Sequence, residues 1–283
     1  MSSGAPPRLT GMDTSPTTHA PVLTGKNAVL FGASGSVGSA LAREFAAQGA
    51  SVFVSGRRLE PVQQLADAIQ RADGVAHAAE VDALNEPAVT AYLDRVRQQA
   101  GSIDILLNVM GPEPREFSHG RPTLDVPLEH FLLPLTTMLP SQFITARAAG
   151  RHMVAQGSGV ILFLTAIPAR GLANAAAIGS AFGAMESLAR CLAIDLGPSG
   201  VRVVCIRAGG MVDTRTIQQS VDTVARQQSV AREQVLARFE QATLLKRLTT
   251  ADDTARLAAF LASDQAQSIT GAIVNASSGH IMD

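Results

Sequence analysis

The chain has 283 residues, of which 46% are hydrophobic and 17% are charged, and its formal net charge is −1. Such a composition supports a sizeable buried core. Because phosphate binding needs clustered Lys and Arg, the lack of a basic block argues against nucleic acid as a main partner. No apolar run reaches the ~18 residues that a membrane span needs. We therefore expect a cytoplasmic protein that binds neither nucleic acid nor membrane.

The N-terminal residues and the cysteines agree with this expectation. Residues 1–22 are rich in Pro, Ser, Thr and Gly and lack the apolar middle of a signal peptide, so they are predicted to form a disordered leader. Cys191 and Cys205 both lie in apolar periodic segments, with no Cys or His at metal-ligand spacing. We expect two buried free thiols and no bound metal.

From residue 23 to residue 283, short apolar strands alternate with helical stretches, and no break in composition divides the chain. Strands are predicted at 28–31, 51–55, 75–81, 103–109, 160–164, 201–206 and 273–275. Helices are predicted at 39–47, 61–72, 87–99, 128–155, 175–196, 216–240 and 251–262, with Pro134 and Pro140 breaking or bending the fourth. This alternation predicts one α/β domain, a Rossmann-type doubly wound parallel sheet of about seven strands with helices on both faces.

The first predicted strand leads into a glycine-rich turn and then a helix. Gly32, Gly35 and Gly38 follow the strand directly. Strand, glycine turn and helix in this order form the dinucleotide-binding fingerprint, because the backbone must approach a pyrophosphate closely and the free N–H groups of the helix start face the anion. The alternative is a tight turn between strand and helix with no ligand.

Further motifs in the same order resemble the short-chain dehydrogenase/reductase family from Thr24 to Gly279. Asp82 follows the third strand where the family has an Asp beside the adenine, and 108–111 stand where the family writes Asn-Asn-Ala-Gly. The segment 200–214 resembles the sixth strand and the loop beside the nicotinamide. The resemblance implies the same fold, a nicotinamide dinucleotide and a hydride transfer. The cofactor-binding residues that it implies are Gly32, Ser34, Gly35, Ser36, Val37, Gly38, Arg57, Arg58, Asp82, Ala83, Asn108, Val109, Met110, Gly111, Gly209, Val212 and Thr214.

The end of the second strand bears on the choice of cofactor. It carries Gly56, Arg57 and Arg58 instead of an acid. An acid there accepts hydrogen bonds from the 2′-hydroxyl of NAD, whereas Arg suits the 2′-phosphate of NADP. We favour NADP over NAD; the alternative is that both arginines are solvated loop charges.

The resemblance fails at the catalytic set, which in the family is an Asn, a Ser and a Tyr followed four residues later by a Lys. By register from the flanking motifs, these positions hold Met138, Ala166, Ile178 and Phe182. Ile178 and Phe182 share a helix face, so they either line a dry pocket or belong to the core. A register shift of one residue would put Thr165 at the Ser position. Tyr92 is expected on the far side of the sheet.

Polar residues for chemistry must then come from elsewhere at the carboxyl ends of the strands. The loop after the fourth strand and the segment after the fifth offer candidates, each of which can equally be a solvated loop residue: Glu113, Arg115, Glu116, His119, Arg121, Asp125, Arg170 and Asn174. A His beside carboxylates can act as acid or base near neutral pH. Ser180 is expected to serve packing and not to act as a nucleophile.

Three functions remain open. The first is an NADP-dependent oxidoreductase with a non-standard, apolar active site, acting on a small molecule that needs little proton assistance. The second is a catalytically inactive NADP(H)-binding sensor or regulatory protein. The third is a non-redox cyclase or isomerase. The resemblance also implies a homodimer or homotetramer, in which the helices before and after the fifth strand pair across a two-fold axis.

Overall fold

A computed structural model describes residues 20–283. Seven strands form a single sheet in the order β3-β2-β1-β4-β5-β6-β7, and every neighbouring pair is parallel. The strands are β1 Asn27–Phe31, β2 Ser51–Gly56, β3 Val75–Glu80, β4 Ile105–Asn108, β5 Gly159–Ala166, β6 Val201–Ala208 and β7 Ile273–Ala276. The prediction of a doubly wound parallel sheet of about seven strands is confirmed.

Helices cover both faces of this sheet. They are α1 Ser36–Ala47, α2 Leu59–Gln70, α3 Glu86–Ala100, α4 Leu128–Gln156, α5 Ala176–Leu196, α6 Arg215–Gln228, α7 Arg232–Gln241 and α8 Ala251–Ala262. One core layer joins the sheet to α1, α2 and α8, and the other joins it to α3, α4 and α5. The five inner strands bury side chains on both faces, which explains their continuous apolar runs, whereas the edge strands β3 and β7 are only partly buried.

Winding reverses between β3 and β4, because β4 pairs with β1 on the side opposite β2. In sheets of this kind, ligands bind beyond the carboxyl ends of the strands at the reversal. The loops after β1 and β4 therefore define the cleft of this protein.

The polar stretch after β6 folds into two short helices, α6 and α7, which pack on each other around a small separate core of Val221, Ala225 and Val235. We refer to residues 215–241 as the α6–α7 hairpin. The predicted single excursion over 216–240 is therefore interrupted at Ser229, which adopts a left-handed conformation at the end of α6.

Helix α4 runs from Leu128 to Gln156 through both Pro134 and Pro140. The expected break is absent. Each proline removes one backbone donor, while hydroxyl groups bond back to carbonyls in the same stretch: Thr136 Oγ1 to Leu132 O at 3.0 Å and Thr137 Oγ1 to Leu133 O at 2.6 Å. Packing of α4 against α3 and α5 keeps the helix continuous.

Three further expectations are corrected. Tyr92 belongs to the same core layer as α4 and α5, with its ring edge-on to Phe31 at 5.7 Å, so it does not lie on the far side of the sheet. Cys205 is buried, but Cys191 is exposed because it lies on the outward face of α5. Ser180 is exposed and serves no packing role.

Helix α5 with the turn that follows it, Ala176–Ser199, is the one described helix that is long and apolar enough to cross a membrane by length and composition. It carries Glu186, Arg190 and Asp195, and its inner face packs in the core layer shared with α3 and α4. The expected leader lies mostly outside the described residues. Val22, at its end, is already attached to the domain, because its N–H donates to Gln48 Oε1 at 3.2 Å.

Candidate active site

The glycine turn after β1 is closed on its inner side and open on its outer side. Gly32 has φ of +74°, and a Cβ there would lie 2.7 Å from the backbone N of Met110. A Cβ on Gly38 would lie 2.6 Å from Gly32 O. By contrast, the nearest atom to a Cβ on Gly35 is 3.8 Å away. Glycine is therefore required at two positions by the fold itself, whereas Gly35 borders open space where a ligand can approach.

Helix α1 begins in this turn without a side-chain cap. Gly35 precedes the helix and makes no side-chain hydrogen bond to it, and Ser34, Gly35 and Ser36 are exposed. The uncapped N–H groups and the helix dipole favour an anion at this point. Val37 is half-buried beside them. The turn fits the pyrophosphate of a dinucleotide, so the residues present are compatible with the cofactor that the sequence implies.

The end of β2 borders the same turn, because a Cβ on Gly56 would lie 3.6 Å from Ser34 Oγ. Arg57 and Arg58 follow, and both are exposed. Among residues 20–283, neither guanidinium is paired with an acid. One acid lies near: Glu80, at the end of β3, accepts the N–H of Leu59 at 3.1 Å. Two exposed arginines without an acidic partner thus follow β2 beside the glycine turn.

Asp82 and Ala83 follow β3 at the next corner of the cleft. Asp82 is exposed and Ala83 is buried. Asp82 Oδ1 accepts the N–H of Leu84 at 3.0 Å, which shapes the turn before α3. The second carboxylate oxygen has no protein donor within the part of the chain that the structure describes, and so it is free for a ligand.

Asn108, at the end of β4, has its side chain fully occupied inside the protein. Its Nδ2 donates to Ser141 Oγ at 3.3 Å and to Thr145 Oγ1 at 3.2 Å, while its Oδ1 accepts the N–H of Met110 at 3.0 Å. Gln142 Nε2 donates to the Asn108 carbonyl at 2.6 Å. This buried network fixes α4 against the 108–111 segment, so Asn108 shapes the cleft through Val109, Met110 and Gly111.

The loop after β6 is fixed in a similar way by its neighbours. A Cβ on Gly209 would lie 3.0 Å from Ser277 Cα, and Val212 N donates to Thr249 O at 3.0 Å. Thr214 caps α6, since its hydroxyl accepts the N–H of Ile217 at 3.4 Å and donates to Met211 O at 2.7 Å. The Thr214 hydroxyl is therefore committed to the helix start.

The positions of the expected catalytic set carry apolar side chains, and one of them borders the segment after β4. Met138 lies against Gly111, where a Cβ would be 3.3 Å from Met138 Cε. Ile178 is buried, Ala166 ends β5 and Phe182 is half-buried one turn beyond Ile178. The start of α5 is held close to the segment after β5, because a Cβ on Gly179 would lie 2.7 Å from Pro168 O.

Thr165 does not replace the missing serine. It is 1% exposed, and its hydroxyl donates to Glu186 Oε1 at 3.1 Å and lies 3.4 Å from Cys205 Sγ. Because the side chain points into the layer between β5 and α5, a register shift would not bring it to the cleft.

An ion pair that sequence reasoning missed lies behind this position. Arg207 on β6 and Glu186 on α5 are 2% and 4% exposed, and two nitrogen–oxygen contacts of 2.7 Å join them. Asp283 also accepts a hydrogen bond from Arg207. Hydrogen bonding to Glu186 raises the pKa of the Arg207 guanidinium, and burial raises the pKa of the neighbouring Cys205 thiol to about 12. The available signal was an Arg at the apolar end of a strand, where Arg207 follows Val203–Ile206.

The loop between β4 and α4 holds six of the eight polar candidates. A short 3-10 turn, Pro114–Phe117, has a capping box at its start: the Glu113 side chain accepts the N–H of Glu116, and the Glu116 carboxylate accepts the N–H of Glu113 at 2.6 Å. Glu113 also pairs with Arg215 of the α6–α7 hairpin at 3.1 Å. Arg115, Arg121, Asp125, Arg170 and Asn174 are exposed. His119 and Asn174 both line a crevice that Ile178 also lines, and of the two only His119 is not exposed.

These features define a dinucleotide-binding cleft of the Rossmann type, and comparison with known proteins narrows the class. A family model described as Enoyl-(Acyl carrier protein) reductase matches residues 32–280. The 7alpha-hydroxysteroid dehydrogenase of Escherichia coli is 29% identical over 262 residues, which cover 92% of this chain and 96% of that protein. The short-chain reductase protein NovJ of Streptomyces niveus is 30% identical over 263 residues, covering 93% and 97%.

Solved structures agree with the sequence matches. NAD+-bound xylitol dehydrogenase superposes with a TM-score of 0.83 at 25% identity, covering 91% of this chain and 99% of that one. Sorbitol-6-phosphate 2-dehydrogenase SrlD from Erwinia amylovora gives 0.84 at 25% identity, covering 90% and 100%. The chain belongs to the short-chain dehydrogenase/reductase family, whose members bind NAD or NADP, and its relatives are named as dehydrogenases and reductases.

Proposed function

We propose that this protein is an NADP(H)-dependent oxidoreductase that transfers hydride to or from a small organic substrate in an apolar active site. One observation carries the proposal: an open, uncapped glycine turn, flanked by the unpaired Arg57, leads to a cleft whose reacting end is lined by Ile178 and Met138. The cofactor half has the features that binding requires, while the other half suits a substrate with little polarity.

NADPH, when bound, supplies the hydride. The residues of this chain bind, orient and exclude water. The uncapped start of α1 holds the pyrophosphate, and Arg57 pairs with the 2′-phosphate. Ile178, Phe182, Met138 and Ala166 keep water from the reacting end, which strengthens electrostatic interactions there.

The apolar lining favours substrates whose reduction needs little proton assistance, such as an activated double bond or an iminium. The description of the matching family model, an enoyl reductase, concerns a double bond of this kind. The relative that acts on a hydroxysteroid has an alicyclic, apolar substrate. We infer by this likeness that the substrate is small, carbocyclic or unsaturated, and poorly charged.

The test has two arms. Titration of the protein with NADPH and NADH, followed by the cofactor's fluorescence, is expected to show tighter binding of NADPH. Incubation with a panel of cyclic enones, iminium salts and ketones is expected to consume NADPH with at least one of them. Binding without consumption would support the sensor alternative, and product without consumption would support the cyclase or isomerase. No binding of either nucleotide would exclude both the oxidoreductase and the sensor.

The protein is further proposed to be a cytoplasmic homodimer or homotetramer that pairs through α4 and α5. The outer faces of these helices expose Phe143, Val154 and Ile194, with 42%, 40% and 75% of each residue accessible. A second copy of the chain would cover this apolar surface. Light scattering on the purified protein is expected to give a multiple of the 29.5 kDa chain mass; a monomer would overturn the proposal.

A further inference from the structure

We propose that His119 exchanges a proton with the substrate in this active site, in the place that the family gives to its tyrosine. The inference rests on the proposed function and deepens it, because it supplies the acid–base group that the apolar lining lacks. It extends the substrates from activated double bonds to secondary alcohols and the ketones formed from them.

The position of His119 is the first support. His119 and Ile178 line the same crevice, together with Phe117, Ser118, Val126 and Asn174. The loop reaches this point in a fixed conformation, because His119 N donates to Pro114 O at 3.1 Å and Gly120 N donates to Asn174 O at 2.9 Å. The imidazole is thereby held against the start of α5, directly beside the residue at the tyrosine position.

The second support is an unpaired ring nitrogen. His119 Nδ1 is buried and has no hydrogen-bond partner among the residues that the structure describes. Buried polar atoms are nearly always satisfied, and an unsatisfied one costs about 1–3 kcal/mol. Tyr92 Oη is unpaired as well, but it borders a separate cavity with Phe53 and His77. His119 instead lines the crevice that it shares with Ile178, so a substrate oxygen that reached the Ile178 position would satisfy its free nitrogen.

The surroundings determine the protonation state. From the loop itself, Glu113 and Glu116 are committed to the 3-10 turn. From α4, His130 Nδ1 lies 2.6 Å from Ser118 Oγ. From the start of α5 the crevice receives Asn174 and Ile178, neither of which is charged. Burial lowers the pKa of His119 from its ordinary value, so the imidazole is neutral at neutral pH and ready to accept a proton.

The proposed step moves one proton and one hydride in each direction. In alcohol oxidation, the hydroxyl proton passes to the imidazole nitrogen while the carbinol hydrogen leaves as hydride to NADP+, giving a ketone, NADPH and an imidazolium. The imidazolium then releases its proton to water. In the reverse direction, the imidazolium donates the proton to the carbonyl oxygen as NADPH delivers hydride to the carbon.

The kinetic test compares H119Q and H119A with the control H77Q. The His77 ring lies away from the cleft and stacks on Phe53, with the two ring centroids 4.7 Å apart. Cyclic secondary alcohols with NADP+ are assayed from pH 5.5 to 9. For the unaltered protein, kcat/KM is expected to fall on the acid side as His119 becomes protonated. Both His119 variants are expected to lose about 10²–10⁴-fold and to lose that acid limb, with NADP+ affinity within twofold and H77Q unaffected.

An independent readout uses the full-length protein labelled with ¹³C at its histidines. The imidazole signal that disappears in H119Q is expected to titrate below the ordinary histidine range. It is also expected to shift when cyclohexanol or cyclohexanone is added at saturating NADP+, while the His77 signal stays in place. A His119 signal with an ordinary pKa, or one that no panel compound moves, overturns the inference.

The outcomes separate the two proposals. Turnover that survives in H119Q with its acid limb intact overturns the role of His119 and leaves the oxidoreductase in place. Absence of turnover with every panel compound in the unaltered protein overturns the oxidoreductase, and the role of His119 with it.

Discussion

The two ends of the cleft treat polar groups in opposite ways. At the nucleotide end, the start of α1 is uncapped and Arg57 is unpaired and exposed. At the reacting end, Thr165, Glu186 and Arg207 bond to one another behind the cleft. The first region keeps its polar groups available to a ligand, and the second uses them for its own cohesion. The difference explains why cofactor binding was easy to infer and the reaction was not.

The comparison also shows where acid–base capacity remains. On the proposed function, Met138, Ile178 and Phe182 line the reacting end, so a proton donor there would come from a loop. His119 is the titratable residue of the loop between β4 and α4 that lines a crevice with Ile178. A rigid scaffold with its chemistry on a connecting loop is a common arrangement, since loops vary without loss of the core.

The largest expected effect comes from giving the reacting end a family-type donor. In the double variant Ile178→Tyr with Phe182→Lys, the Tyr hydroxyl and the Lys would stand one helical turn apart on the face toward the cleft. Ketone reduction with NADPH is expected to rise by about 10²–10⁴-fold, the usual contribution of a positioned general acid. Steady-state assays measure it, with Ile178→Phe as the control. A folded, NADPH-binding double variant without any gain would show that this face does not reach the substrate.

The second largest expected effect is on the free energy of unfolding, when the buried ion pair between Glu186 and Arg207 is broken. Glu186→Gln leaves Arg207 charged and only partly bonded in the interior, and removing one partner of a buried pair costs about 3–5 kcal/mol. Urea denaturation is expected to show a loss of this size. Arg190→Ala is the control, because that side chain is 52% exposed and 3.9 Å from Glu186, and exposed pairs contribute about 0–1 kcal/mol. Equal losses in the two variants would contradict the structural role given to Glu186.

At the nucleotide end, substitutions at two glycines of the turn test the stability of the fold and the binding of the ligand separately. Gly38→Ala places a Cβ against backbone atoms at 2.6 and 2.7 Å, and overpacking of this kind costs about 1–3 kcal/mol. Gly35→Ala meets nothing closer than 3.8 Å and is expected to leave unfolding unchanged while weakening dinucleotide binding. Thermal unfolding and NADPH titration of both variants check this pair. Unchanged NADPH affinity in Gly35→Ala would mean that the ligand does not approach there.

The smallest effect concerns the choice between nucleotides. Arg57→Ala removes a charge-assisted contact worth about 1.5–3 kcal/mol, so NADPH affinity is expected to fall about tenfold or more while NADH affinity changes little. Arg71→Ala is the control, because this exposed arginine lies at the opposite end of α2. Fluorescence titration with both nucleotides decides the matter. The same loss for NADH and NADPH would remove the argument for the 2′-phosphate.

Much of the fold could be predicted from sequence because parallel strands and their helices leave strong patterns. β2 and β7 were predicted within one residue, and α8 was predicted at its observed bounds. The strands β5 and β6 run further than expected, to Ala166 and Ala208. Their ends include Thr165 and Arg207, polar residues that a search for apolar runs excludes.

The errors have a common physical cause, which is that tertiary packing is invisible to local pattern. Cys191 lies in an apolar helix but on its outward face, and Tyr92 shares a core layer with α4 although its helix follows another strand. The Glu186–Arg207 pair joins residues far apart in the chain. The inward turn of His119 depends on contacts from Pro114 and Asn174 that no spacing rule reports.

The α6–α7 hairpin has a consequence for how substrate enters the cleft and product leaves it. The hairpin packs around a small core formed by its own residues. The exposed ion pair between Glu113 and Arg215 links it to the loop between β4 and α4. Contacts of that kind weaken as ionic strength rises. If product release through this opening limits the rate, kcat will increase with added salt. The hairpin then acts as a flap that opens more readily at higher ionic strength.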